Sequence, residues 1–269
     1  MVPWNLLPTL QVGVTGNADR PFVTTVGGFA LAFARIAVAF VLLLAALVPS
    51  ALTLWVSTPP ATDIQQRVAA DTRAKNAVLL REDQVPPLLA DAVVAIEDER
   101  FYSHHGIDSL GVARALLYDA ANFCLCQGGS TITEQLVKDI YLNGSDQGYH
   151  KLEDLALALK VERVLSKRRI MADYLSEITT GLGVYGVTAA ACDYFRAPLG
   201  DLTLGQYALL AGVTQAPSIY DPTVNPDAAA ARRSDVLAAM VADKYITASQ
   251  ATAANAEPVL ARGPGRPGC

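Results

Sequence analysis

The chain has 269 residues, enough for one sizeable domain with additions, and it is 52% hydrophobic and 17% charged. Its net charge of -5 and the lack of a long basic run exclude a nucleic-acid-binding protein of the usual electrostatic kind. Four cysteines and three histidines without zinc-ligand spacing exclude a structural zinc site.

Residues 1–35 carry little regular pattern and read as a tail. Residues 36–56, IAVAFVLLLAALVPSALTLWV, contain no charge and no polar stripe. About 20 such residues span a bilayer core as a helix, and the segment lies too far from the N-terminus and is too long for a signal peptide. Arg20 and Arg35 before it, and Arg67, Arg73 and Lys75 after it, give no clear charge bias for its orientation. Residues 57–84 are polar, open on Pro59-Pro60 and read as a stalk. The compact domain is expected over 85–262, and the Gly/Pro-rich residues 263–269 have no core-forming power.

Within the domain the apolar spacing is helical nearly throughout. Helices are predicted over 86–100, over 109–123 with Ser109 as N-cap, over 131–142, over 151–165, and from a Ser166 cap to about 178. Others follow over 184–195, 203–213 and 226–242, the last with Asn225 as cap and Pro226 at its first position. A short helix over 247–254 closes the series. Loops are expected at 124–129, 143–149 and 181–185. Cys124 and Cys126 are too close to bridge each other without strain. A bridge from either to Cys192 and free thiols both remain open.

Three clusters carry candidate chemistry. The first, Glu97-Asp98-Glu99-Arg100-Phe101-Tyr102-Ser103-His104-His105-Gly106, follows the apolar run AVVAI. A carboxylate buried at such a helix exit has its pKa pushed up toward general-base work, although acids at helix ends are also common without function. The second, Gly128-Gly129-Ser130-Thr131-Ile132-Thr133-Glu134-Gln135, runs from a glycine pair into a helix start. Free N–H groups there suit a phosphate, and an ordinary capped helix suits the pattern equally. The third, His150-Lys151-Leu152-Glu153-Asp154, puts a cation and two acids in one helix start, as a solvated first turn also would.

Together these clusters resemble the glycosyltransferase family 51 domain of class A penicillin-binding proteins and monofunctional peptidoglycan glycosyltransferases. The pattern E-D-x-x-F-x-x-H-x-G falls on Glu97, Asp98, Phe101, His104 and Gly106. G-G-S-T-I-T-Q-Q falls on Gly128 to Gln135, with Glu134 replacing a glutamine. R-K-x-x-E falls on His150, Lys151 and Asp154. Further matches follow at Ser166, Lys167, Ile170, Tyr174 and Leu175, then at Gly183, Tyr185, Gly186, Ala189, Ala190, Tyr194 and Phe195. The last runs through Leu210 to Gly212, Gln215 to Pro217, Tyr220 and Pro222. Six strings in order cover about 85–240.

The resemblance implies a mainly α, lysozyme-like two-lobed domain after one N-terminal transmembrane helix. It implies polymerisation of lipid II into β-1,4 glycan with inversion and release of undecaprenyl diphosphate. Glu97 would be the general base, with Asp154 as the second catalytic acid. Lys138 and Lys151 would stabilise the diphosphate, with His150 beside them. Ser130, Thr131, Thr133 and Gln135 would position sugar or diphosphate, and Asp98, Phe101 and His104 would shape the site. No resident metal ligands are expected, although a divalent cation, Mg or Mn, would assist the diphosphate. The implied partners are lipid II, the nascent glycan, the cytoplasmic membrane and other cell-wall synthesis proteins. The implied location is the bacterial cytoplasmic membrane, single-pass, with the catalytic domain on its outer face. One anchor and one domain would be the monofunctional arrangement, since too few residues follow Arg262 for a transpeptidase domain. The departures at Glu134, His150, Asp154, Ser176 and Gln206 also admit a weakened lipid II-binding or scaffold protein, and the fold admits a lysozyme-like hydrolase.

Overall fold

The computed structural model describes residues 24–123, 129–145, 148–181, 183–260 and 269. Most of the predicted tail 1–35, most of the loop 124–129 with Cys124 and Cys126, and residues 263–268 lie outside them. The chain divides into two compact units, residues 1–53 and residues 54–269.

The first unit holds most of α1 (Thr24–Ser57), which begins earlier than the apolar run implied. Its part Phe33–Ser57 is long and apolar enough to cross a membrane. Pro49 sits inside the helix.

The second unit begins with the end of α1. Lys160 donates to the carbonyl oxygens of Trp55 and Thr58, each 2.7 Å away, and so caps that end. The segment expected as a stalk is folded onto the domain. Within it, α2 (Ile64–Ala74) buries Ile64 and Val68 and packs against α5 and α7 (Ile132–Leu142 and Lys167–Glu177). Gln65 donates to Asp173 at 2.5 Å and the Leu80 N–H to Ser176 at 2.9 Å. Two apolar residues one helical turn apart suffice as a stripe here because the partner helix is itself buried.

The remaining helices are α3 (Pro87–Glu97), α4 (Ser109–Asn122), α6 (His150–Val164), α8 (Val187–Phe195), α9 (Leu204–Val213), α10 (Pro217–Tyr220), α11 (Pro226–Ala242) and α12 (Ala248–Asn255). The mainly α expectation is therefore what the chain adopts. Two groups build the core: α3, α9 and α11 pack on one another, and α5 packs on α6 and α7. The first group is nearly all apolar at its centre, with Leu89, Val93, Leu210 and Val236 at full burial.

The predicted caps at Ser166 and Asn225 form, each accepting the N–H three residues on. The cap of α4 is Asp108 rather than Ser109, since its carboxylate reaches the Gly111 N–H. The expected loop and helix start at 181–185 are instead a small antiparallel hairpin, β1 (Thr179–Gly181) with β2 (Val184–Tyr185). Strands this short leave no alternating pattern to read. Cys192 pairs with Cys269, which replaces both sequence alternatives for that residue.

Candidate active site

Helix α3 ends at Glu97 because Asp98 leaves the helical backbone, at φ -157°. The Asp98 carboxylate then does two jobs. It accepts the Ile132 N–H at 3.0 Å, holding the start of α5, and it lies 3.0 Å from His104 Nε2. His104 Nδ1 accepts the Gly106 N–H at 3.2 Å, which assigns the ring proton to Nε2, facing Asp98. Thr131 caps α5 and donates to the Gly106 carbonyl at 2.7 Å. Gly106 itself has φ +98°, and a Cβ there would sit 2.8 Å from the Ala158 carbonyl of α6. Only glycine allows the first cluster to pass this close to α6. The first two sequence clusters are thus one locked assembly.

That assembly opens on a cavity of about 860 Å³. One wall carries Glu97, Ser130, Gln135, Lys138 and Asp139. The other carries Thr179, Gly181, Gln215, Ser218 and Asp221. Glu97 Oε2 accepts from the Gln135 amide at 3.0 Å, and the Tyr174 hydroxyl donates to the other end of that amide at 3.1 Å. Glu97 Oε1 is buried without a hydrogen-bond partner, 3.7 Å from the Arg232 guanidinium. Burial pushes the Glu97 carboxyl above its usual range, while the Gln135 hydrogen bond and the Arg232 charge pull it back and Asp98 adds to the rise. A carboxyl poised this way can take a proton from a hydroxyl and return it.

The predicted site residues separate into three sets. Glu97, Ser130, Gln135 and Lys138 share the cavity. Lys151 touches it indirectly: its ammonium donates to Ser130 Oγ at 2.8 Å and pairs with Glu134 at 2.5 Å. The rest lie outside the lining. Asp98, His104 and Thr131 hold the wall from behind, as described. Phe101 is fully buried with the Lys167 ammonium 4.4 Å above its ring. Thr133 turns away and donates to Glu162 at 2.6 Å. These residues do not line this cavity, although Asp98 and Thr131 line a smaller neighbouring pocket together with Glu97 and Ser130. His150 pairs with Glu153 at 2.8 Å. Asp154, the second expected catalytic acid, is 2% exposed on α6 and is not among the residues that line the cavity with Glu97.

Arg232, Tyr174 and Asp221 were not among the sequence candidates. Arg232 is nearly buried on α11, in the run AAAARRSDVLAAM, and also donates to the Gly212 carbonyl at 3.3 Å. A guanidinium inside so apolar a helix was the available signal. Asp221 accepts from the Thr223 N–H at 2.8 Å and hydroxyl at 2.6 Å. It lies against Gly181, whose φ of +116° and close approach to the Asp221 carboxylate exclude a side chain there. Among the described residues no group of three or more His, Cys, Asp or Glu side chains could hold a metal ion. A divalent cation therefore has no protein cage among those residues.

Comparison with known proteins places this architecture. A family model described as Transglycosylase matches residues 63–241. Penicillin-binding protein 1A of Vibrio cholerae is 40% identical over 194 residues, covering 72% of this chain and 24% of that protein. Penicillin-binding protein 1F of Bacillus subtilis is 39% identical over 172 residues, covering 64% of this chain and 24% of that one. The crystal structure of penicillin-binding protein 1A from Haemophilus influenzae aligns at 24% identity and a TM-score of 0.39, over 68% of this chain and 18% of that one. The chain thus spans about a quarter of the length of these curated relatives. The family match starts at the beginning of α2 and covers both helix groups and the cavity between them, and the chain belongs to the transglycosylase family.

Proposed function

We propose that the chain is a peptidoglycan glycosyltransferase that polymerises lipid II at the outer face of the cytoplasmic membrane. The observation that carries this is Glu97, a buried carboxylate with an unsatisfied oxygen, on the same cavity wall as Lys138 and Ser130. The 4-hydroxyl of one disaccharide gives its proton to Glu97, and its oxygen bonds to C1 of the diphosphate-linked chain. The C1–oxygen bond to the diphosphate breaks from the opposite face, and undecaprenyl diphosphate departs with the bonding electron pair. Lys138 and Lys151 offset the charge that builds on that leaving group. Gln135 and Arg232 hold the carboxylate in place and keep it from being too basic to ionise. The apolar stretch Phe33–Ser57 would keep the cavity beside a substrate whose tail lies in the bilayer. Mg or Mn would enter with the diphosphate as its counter-ion.

The weakened lipid II-binding protein remains as a second reading, because Asp154 lies off the cavity and Lys151 is tied to Glu134. One assay separates the two. Purified protein in detergent, given labelled lipid II and Mg²⁺, yields long glycan chains as an enzyme and only a lipid II complex as a binder. Cleavage of preformed glycan would instead identify a hydrolase.

A further inference from the structure

The contact between Glu134 and Lys151 has a use beyond packing. Glu134 sits in the first turn of α5, where Thr131 Oγ1 accepts its backbone N–H at 3.1 Å. Its residue exposure is 1%, and one carboxylate oxygen has no hydrogen-bond partner. The other oxygen meets the Lys151 ammonium from α6 at 2.5 Å. Lys151 is a different case, because its side chain is 47% exposed and its ammonium also reaches Ser130 on the cavity wall. The pair therefore has one sealed, anionic end and one open, cationic end. A buried carboxylate at this distance cancels most of the field its lysine would project into the cavity.

We propose that Glu134 is a positioning residue that sets how much of the charge of Lys151 a diphosphate in the cavity meets. While ionised it draws the ammonium down beside Ser130 and neutralises it. Once protonated it leaves a full positive charge at the cavity edge. The charged groups facing Glu134 are Lys151 from α6 and Asp98 from the end of α3. Burial raises the Glu134 carboxyl above its usual range, Lys151 and the backbone hydrogen bond lower it, and Asp98 raises it further. Protonation thus occurs at a higher pH than for an exposed glutamate, and anion affinity rises as pH falls through that point. This assignment rests on the proposed site for a diphosphate, but it does not need Glu97 to act as the base.

The test is calorimetric titration of the full chain in detergent with inorganic pyrophosphate, from about pH 5 to 8.5. Wild type, Glu134→Gln, Lys151→Met and the double variant are compared at each pH, so that titration of the probe itself cancels. At pH 8, Glu134→Gln should bind about tenfold tighter than wild type, and that ratio should shrink toward one in acid. The gain should vanish in the double variant. Unchanged or weaker binding by Glu134→Gln would show that the carboxylate only holds the lysine in place, and the proposal would fall. A constant ratio across pH would do the same. Circular dichroism confirms folding of each variant, and Lys151→Met provides an independent check because it should flatten the pH dependence on its own. In the lipid II assay, Glu134→Gln should lower KM, in step with its tighter pyrophosphate binding. A wild type that makes no polymer while the pyrophosphate pattern is intact would count against the polymerase assignment and leave the Glu134 proposal standing.

Discussion

Helices α3 and α7 each end in a glutamate, and the two ends can be set side by side. Glu97 turns toward a cavity of about 860 Å³, held by an amide and a guanidinium. Glu177 turns into the seam between α7 and α2, where Lys75 lies 3.2 Å away and Asp71 beside them both. Both sit at the negative end of a helix dipole, which disfavours an anion, and burial pushes both above the usual carboxylate range. A perturbed acid is thus a sign of burial, and the open cavity beside Glu97 is what distinguishes it from the enclosed Glu177.

The sharpest way to break this comparison is to neutralise each acid in turn. Glu97→Gln should reduce glycan polymerisation by about a thousandfold, the range of a lost general base, with little change in melting temperature. Polymer formation at near wild-type rate by that variant would refute the base assignment. Asp154→Glu tests the acid that lies off the cavity. Lengthening a nearly buried side chain should cost about 1–3 kcal/mol of stability, seen as a lower denaturation midpoint, without raising the polymerisation rate. A faster enzyme would show that Asp154 reaches the substrate after all.

Arg232→Met sharpens the contrast from the guanidinium side. Arg232 lowers the Glu97 pKa, so its loss lets that pKa climb further. The acid limb of the pH–rate profile should move to higher pH, and kcat should fall about tenfold near neutrality. An unmoved acid limb would mean that Arg232 serves packing alone. At the other helix end, the Glu177 carboxyl is raised to about 8. A raised carboxyl favours the protonated form in the folded state, so its stabilising contribution is complete below the unfolded pKa and is lost as pH rises through about 8. The melting temperature of the wild type should therefore drop by about 5 °C on going from neutral to alkaline pH, and Glu177→Gln should remove most of that drop. A drop of the same size in both proteins would assign the alkaline loss to other groups.

Much of this molecule could be read from residue order. Caps such as Ser166 and Asn225-Pro226 act through neighbours three positions away, so their signal is local and survives in the sequence. The cavity residues Glu97, Ser130 and Gln135 fall within named patterns, and Lys138 lies one helical turn beyond the second of them. What could not be read was direction. Thr133 and Gln135 are two residues apart on one helix, yet one bonds Glu162 behind the wall and the other bonds Glu97 at the cavity. Arg232 reaches Glu97 from 135 positions further along the chain, and no local pattern encodes that encounter. The helix α2 was missed because its sparse apolar stripe becomes meaningful only once α7 is there to receive it.

The phenol of Tyr174 has a consequence of its own. Its O–H points at the Gln135 carboxamide oxygen, and that settles which way round the carboxamide sits. The nitrogen must then face Glu97, so the carboxylate meets a donor and never a competing acceptor. Replacing Tyr174 with phenylalanine would leave the ring in its slot and free the carboxamide to rotate by half a turn, bringing two oxygens face to face. One hidden hydroxyl thereby gives the whole relay its sense, much as a keyed connector admits a plug in only one orientation.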